Sequence, residues 1–267
     1  MTKAAQKFLV LSTPGSLNDA VWTAWSWYRY LHGSGFELEF AIDGELPDPA
    51  ATAARRIFPD IEIRPIQPDI AELSQSWPAL APFLHNHPLG KKLGLVLARS
   101  QHSTILYSDH DVLAFNTPTE LIEFVRQGSP FYLTEECAGT WDPAILDRGK
   151  MLGHAANPRF NSGLLFVPQG AISINLAAQL LATWQPPMTT WFTEQTVFNL
   201  LMSNAGARPL PEERYVISNR RQFYWEKDVD YSAIVARHFT GTVRHVMYKA
   251  GIPLILEQSR HLQGAGL

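Results

Sequence analysis

Two carboxylates one residue apart, Asp109 and Asp111, flank His110 directly after the apolar run Thr104-Ile105-Leu106-Tyr107. An Asp-x-Asp at the end of a buried strand has two readings. Aspartate is a common turn and cap residue, which accounts for such a pair without any chemistry. Once the chain leaves the strand, however, its side chains are no longer sent to opposite faces of a pleat, so both carboxylates can reach one hard divalent cation. A cation held this way keeps open positions that suit phosphate oxygens. Polar residues stand at two comparable places, Thr13-Pro14-Gly15 after Phe8-Leu9-Val10-Leu11 and Asp43 after Phe36 to Ile42. In open α/β sheets ligands bind outside the carboxyl ends of the strands, so the three places are candidates for one site.

The elements that must position these residues alternate in type along the chain. Phe8 to Leu11 reads as a strand. Ser16, three residues before Asp19, predicts a capping-box start for a helix carrying Leu17, Val21, Ala24, Tyr28 and Leu31 until Gly33 and Gly35 stop it. From Phe36 to Ile42 apolar residues alternate with Glu37, Glu39 and Ala41, which predicts a strand with one covered face. A helix follows Asp48 and a strand runs from Ile61 to Ile66. Pro65 to Pro88 reads as irregular, with a short helix around Ile70 to Leu73. Lys91 to Arg99 is a helix delivering the chain into the strand before Asp109, and later strands fall at Phe131 to Leu133, Leu164 to Val167 and Tyr215 to Ile217. Strand and helix in this alternation predict an α/β fold with a mainly parallel central sheet flanked by helices.

Composition sets the outer bounds. A chain of 267 residues with 46% hydrophobic and 18% charged residues can bury a large core, and no linker, repeat or low-complexity tract divides it. The net charge of -3 offers no broad basic field for nucleic acid. One cysteine, Cys137, can form no internal disulfide and no thiolate metal site, which points to a reducing compartment and to oxygen or nitrogen ligands for any metal. The apolar run near the N-terminus is too short for a signal peptide, so the cytoplasm is the expected location. Residues 160–193 carry no charged residue, but Asn161, Gln169, Asn175, Gln179 and the Pro186-Pro187 pair interrupt them, and they read as core and not as a membrane span.

The run Ile105-Leu106-Tyr107-Ser108-Asp109-His110-Asp111-Val112-Leu113 resembles the Asp-x-Asp segment of GT-A-fold glycosyltransferases, in particular the family 8-like nucleotide-diphospho-sugar transferases. Phe160-Asn161-Ser162-Gly163-Leu164-Leu165-Phe166, Thr193-Glu194-Gln195-Thr196-Val197-Phe198-Asn199 and Arg237-His238-Phe239-Thr240-Gly241 match further segments of that group in the required order. The resemblance covers most of the chain. It implies a single GT-A domain, Rossmann-like, over residues 1–267, with a nucleotide-binding half to about residue 113 and an acceptor-side half from about residue 114.

The resemblance further implies transfer of a sugar from a nucleotide-diphosphate donor, a UDP-sugar first, to a hydroxyl of an acceptor that is a glycan, lipid or protein. Mn²⁺ or Mg²⁺ would bridge the diphosphate, held by Asp109, Asp111 and the distant His238; an imidazole among oxygens suits Mn²⁺ better than Mg²⁺. Donor contacts are implied for Thr13, Asp43, Lys91 or its neighbour Lys92, Ser108, Asp109, Asn161, Ser162, Gly163, Gly241 and Arg244, and a catalytic role beside the sugar for Glu194 or Gln195. After Gly241 the chain reads Thr242-Val243-Arg244-His245-Val246-Met247-Tyr248, where the group carries a lysine, a proline and a tryptophan; Arg244 can supply the lysine's charge. His238 and Arg244 would lack a counter-charge without ligand, which predicts a mobile segment from His238 to Tyr248, and Asp111 is expected to be exposed. Glu135, Glu136 and Asp142 beside Trp141 form an acidic cluster, either a solvated loop or a contact for acceptor hydroxyls, while Trp22, Trp25 and Trp184 read as packing. The alternatives are a sugar-nucleotide-binding homologue without transfer activity, an Asp-x-Asp phosphatase, disfavoured by Leu113, and a nucleotidyltransferase, disfavoured by the single glycine of Thr13-Pro14-Gly15. No membrane span is expected, and peripheral membrane contact stays compatible with the sequence.

Overall fold

Runs such as Phe8-Leu9-Val10 are apolar at every position and must be covered on both faces. In a computed structural model, which describes residues 6–135, 137–186, 190–217 and 229–264, they are. Strands β1 (Gln6–Ser12), β2 (Phe36–Ile42), β3 (Glu62–Pro65) and β4 (Thr104–Ser108) pair in parallel in the order β3-β2-β1-β4. A short strand β5 (Val112–Ala114) follows the Asp-x-Asp. The sheet then continues past β4 with β6 (Phe131–Leu133), β7 (Asn161–Val167) and β8 (Arg208–Pro209) in the order β7-β6-β8, and β7 runs antiparallel to both neighbours. The result is an α/β fold with a seven-stranded, mainly parallel sheet.

Phe8, Val10, Leu38, Phe40, Ile42, Leu106 and Phe166 face one way, against α1 (Leu17–Leu31), α2 (Asp48–Ile57) and α6 (Thr119–Gln127). Leu9, Ala41, Ile105, Tyr107, Leu165 and Val167 face the other, against α3 (Gln67–Ser76), α4 (Ala81–Asn86), α5 (Gly90–Ser100), α7 (Pro143–Met151), α8 (Ile174–Leu181) and α9 (Thr193–Asn204). Strand periodicity of two thus loads two separate cores from one sequence run. No helix among the described residues is long and apolar enough to cross a membrane.

A second sheet carries the chain's return to the Asp-x-Asp. β5 pairs antiparallel with β10 (Ala236–His238), which pairs in parallel with β9 (Tyr215–Val216). The free edge of β5 is occupied by side chains of α1: Trp27 Nε1 donates to Val112 O at 3.0 Å, Arg29 to Ala114 O at 3.1 Å, and Ala114 N–H donates to Ser26 Oγ at 3.0 Å. Pairing on one side and capping on the other fix where the strand after Asp111 lies. Beyond β10 come a 3-10 turn (Gly241–Val243), α10 (Arg244–Val246), a π turn (Met247–Gly251) and α11 (Ile252–Gly264).

Four local expectations are corrected. The capping box lies one turn earlier than Ser16 and Asp19: Thr13 Oγ1 accepts from Ser16 N–H and Ser16 Oγ accepts from Thr13 N–H around a 3-10 turn, while Asp19 accepts from Tyr248 OH. Glu39 does not face solvent. It is buried against Arg99 of α5 at 3.1 Å, and the same guanidinium reaches Asp69 at 3.0 Å, so the alternating strand is covered on both faces. Residues 65–88 contain two helices, α3 and α4, because Pro68 and Pro82 sit in first turns, where a missing N–H costs no hydrogen bond. Asn161, Ser162 and Gly163 do not precede a strand but begin β7 itself. Trp184 is core, as the spacing predicts, and Trp22 and Trp25 pack at the edge of the second sheet.

Candidate functional site

The chain runs outward from β1 to β3 and then returns to place β4 on the other side of β1, so the sheet order reverses at the β1/β4 pair, where open α/β sheets form a crevice. Thr13, Asp43 and Asp109 all lie at that carboxyl edge. The third member of the metal-type constellation arrives through the small sheet. The β5/β10 register sets His238 opposite Val112, and Phe239 N–H donates to Asp111 O at 2.8 Å, which extends the ladder to the Asp-x-Asp. One ligand atom from each of Asp109, Asp111 and His238 lies within 4.8 Å of the others. His238 Nε2 is 3.1 Å from Asp111 Oδ1 and 3.8 Å from Asp109 Oδ2.

Asp111 is buried, with 4% of its surface exposed, contrary to the expected exposed carboxylate. Burial alone would raise its carboxyl, but His238 and Arg244, the latter at 2.5 Å, hold it well below the usual carboxylate range. His238 is also buried. Desolvation would lower the imidazole, yet Asp111 and Asp109 more than offset it and hold the ring above its ordinary value. Both cations therefore have counter-charges within the fold, which removes the reason given for a mobile segment from His238 to Tyr248. Tyr248 adds a further tie to Asp19.

Beside the constellation lies a second charged group. Lys92 Nζ donates to Asp109 Oδ2 and to Ser162 Oγ, each at 3.0 Å, and lies 3.3 Å from Glu194 Oε1; Ser162 Oγ donates to Glu194 Oε2 at 3.2 Å. Two carboxylates share one buried ammonium. Burial would lower Lys92, but Asp109 and Glu194 hold it above its ordinary value, whereas desolvation raises Glu194, the more deeply buried acid, despite its lysine. Tyr107 OH donates to Asp109 Oδ1 at 2.6 Å, and burial together with that carboxylate pushes the phenol well up. Asp109 thus reaches the edge of the sheet with both oxygens already oriented.

A third group surrounds Asn161. Its Nδ2 donates to Glu135 Oε2 at 3.0 Å and Gln195 Oε1 at 3.2 Å, and its Oδ1 accepts from Gly163 N–H at 2.8 Å and meets His238 Nδ1 at 3.1 Å. Gln195 Nε2 donates to Thr140 O at 3.0 Å. Both Glu194 and Gln195 therefore point inward, Glu194 to Lys92 and Gln195 to the Thr140 loop. Gly163 lies close against the His238 ring, where an added Cβ would sit 2.3 Å from Cε1.

The remaining residues divide plainly. Ser108 is buried and donates to Asp109 O at 3.0 Å. Thr13 caps its 3-10 turn, and Asp43 accepts from Gln67 Nε2 at 3.3 Å; neither bonds to the charged groups above. Gly241 has a φ of +33° with open space at its Cβ position, where glycine is free of the strain a side chain would bring. Lys91 makes no ion pair among the described residues, and its neighbour Lys92 is the lysine brought to Asp109. Helical phase does not separate the two, because α5 is buried around most of its circumference. Sequence reasoning missed Tyr107 and Thr140 as site residues. In the acidic cluster, Asp142 is the N-cap of α7 and accepts from Thr193 Oγ1 at 2.6 Å, Glu135 is buried, and Glu136 lies outside the described residues.

No family profile and no curated protein sequence matches the chain. Solved structures do. A galactosyltransferase LgtC, in complex with donor and acceptor sugar analogs, superimposes with a TM-score of 0.59 over 88% of this chain and 87% of its own, at 14% identity. The chain has the GT-A fold. Mouse xyloside xylosyltransferase 1 is similar with a TM-score of 0.57 over 89% of this chain and 99% of its own at 12% identity, and GlyE of Streptococcus pneumoniae with 0.54 over 97% and 64% at 11%. Identities this low carry the fold alone, so the chemistry has to be argued from the site.

Proposed function

We propose that the protein is a metal-dependent glycosyltransferase that moves a sugar from a nucleotide-diphosphate donor, a UDP-sugar first, to an acceptor hydroxyl. The observation that carries this reading is the convergence of Asp109, Asp111 and His238 at the carboxyl edge of the GT-A sheet, from segments more than a hundred residues apart in sequence. Two carboxylates and an imidazole within 4.8 Å make a mixed oxygen and nitrogen set that fits Mn²⁺. Fold likeness supports the same reading: the structures it matches are named as galactosyl- and xylosyltransferases.

When bound, Mn²⁺ or Mg²⁺ supplies Lewis acidity toward the charge that builds on the leaving diphosphate. This chain's own groups do the rest. Arg244, half-buried beside Asp111, is the cation positioned to turn from that carboxylate toward phosphate oxygens. Lys92 and Tyr107 fix the Asp109 carboxylate, and Glu194 with Gln195 form the inner wall on the acceptor side, where the reacting sugar would lie. The test is a panel of nucleotide sugars incubated with the protein and Mn²⁺, with release of nucleoside diphosphate followed by chromatography and the stereochemistry of the sugar product by NMR. Release from one donor class, lost with EDTA, is expected. Absence of release from every donor, together with no calorimetric binding of UDP in Mn²⁺, overturns the proposal.

A further inference from the structure

A primary amide offers two N–H donors and two carbonyl lone pairs. Asn161 uses all four. Glu135 Oε2 and Gln195 Oε1 take the donors, and Gly163 N–H and His238 Nδ1 occupy the oxygen. A backbone N–H can only donate, so the contact with Gly163 fixes which end of the amide is oxygen without reference to the imidazole. That oxygen has no proton to give. The group facing it at 3.1 Å must therefore be a protonated His238 Nδ1, and Nε2 is the nitrogen turned toward Asp109 and Asp111.

Shape repeats the same constraint. Asn161 and Gly163 lie on one face of β7 and Ser162 on the other, as a period of two requires. Ser162 accordingly meets Lys92 and Glu194, while Asn161 and Gly163 make a slot for the ring: a Cβ at Gly163 would stand 2.3 Å from His238 Cε1, 2.4 Å from Nδ1 and 2.9 Å from Asn161 Oδ1. The ring is held by a hydrogen bond at Nδ1 and by bare backbone against Nδ1 and Cε1. Asn161 is itself buried, and its oxygen is shared between Gly163 N–H and the imidazole.

We propose that Asn161 is a positioning residue for His238, presenting Nε2 of the imidazole to a divalent cation at Asp109 and Asp111. The inference rests on the metal reading given under the proposed function. Hydrogen-bond partners of metal-ligating histidines set ring orientation, and their loss typically weakens metal binding about 10- to 100-fold. Asn161→Ala should therefore weaken Mn²⁺ binding, measured without nucleotide by the electron paramagnetic resonance of free Mn²⁺, by about that factor. The spectroscopic check uses the unaltered protein loaded with Cd²⁺. Its ¹⁵N spectrum should show His238 as one species, protonated at Nδ1 and ligated through Nε2, and the variant should show that signal lost or divided between the two nitrogens.

Ligation through Nδ1 in the unaltered protein overturns the assignment, even if the variant fails to fold. So does unchanged Mn²⁺ affinity in a folded Asn161→Ala protein. A variant that binds Mn²⁺ and UDP normally but binds the UDP-sugar less well would make Asn161 a sugar contact instead. If the unaltered protein binds neither Mn²⁺ nor Cd²⁺, the metal reading itself falls, an outcome distinct from failure of the Asn161 assignment alone.

Discussion

Lys92→Met tests the buried charge group beside the metal constellation. Met preserves the length and most of the volume of the side chain while deleting the ammonium, so packing against the surrounding core changes little. What changes is the charge left behind. Glu194 is 1% exposed and loses the cation at 3.3 Å, keeping only the Ser162 hydroxyl; Asp109, with 23% of its side chain exposed, keeps Tyr107 OH and some contact with water. Most of the cost therefore falls on Glu194. Breaking a buried ion pair by removing one partner costs about 3–5 kcal/mol. For a domain of this size that is a fall in Tm of roughly 6–20 °C, at roughly 2–4 °C per kcal/mol. The pH dependence has a definite sign. Burial already raises the Glu194 carboxyl above its ordinary value of 4.5, and without Lys92 it rises further. The folded variant then binds more protons than the unfolded chain above about pH 4.5, so its stability falls as pH rises through that window, and the deficit against the unaltered protein is larger at pH 8 than at pH 5. The second variant, Lys92→Met with Glu194→Leu, removes both charges and should regain most of the loss, since apolar replacement of a whole buried pair is often nearly neutral. Thermal and urea unfolding by circular dichroism at both pH values reads all three terms. A Lys92→Met protein melting within about 2 °C of the unaltered one at pH 8, less than the smallest cost of an unpaired buried carboxylate, would refute this account of the site.

Asp111→Asn should weaken Mn²⁺-dependent UDP binding in calorimetry at least about tenfold, and because Asp111 is buried between His238 and Arg244 it should also lower Tm by several degrees; unchanged values for both would remove Asp111 from the site. Gly163→Ala places a Cβ against the His238 ring and should cost about 1–3 kcal/mol in urea unfolding, with weaker Mn²⁺ binding, while Gly206→Ala, remote from the ring but strained at a φ of +71°, should lose stability with Mn²⁺ affinity intact. Acid unfolding of the metal-free protein should show the depressed Asp111 carboxyl. The unfolded chain takes up its proton near the ordinary aspartate value of 3.8, the folded one only at lower pH, so stability is lost as pH falls below about 4, and Asp111→Asn should flatten that slope in a pH titration of Tm.

Sequence alone determined what depends on short runs of residues. Apolar runs of four to seven residues separated by amphipathic stretches give β1, β2, β4 and the helices between them, because strand and helix periods are properties of neighbouring side chains. The same locality puts Asp109 and Asp111 at a strand end. Proximity across the chain is another matter, and the resemblance of Arg237 to Gly241 to a known motif suggested a role for His238 without giving a reason for it. The reason is the register of β10 on β5, held by α1 at the other edge of β5, which sets His238 opposite Val112. Tertiary structure alone also decided which of two adjacent lysines meets Asp109, that Asp111 and Glu39 are buried, and that Asn161 and Ser162 serve different sides of one strand. A carboxylate reads as exposed until its cation is known, and the cations here, Arg244, His238, Lys92 and Arg99, come from other elements of the fold. Pairing of buried charges is set by which elements pack together, and no local pattern in the sequence encodes it.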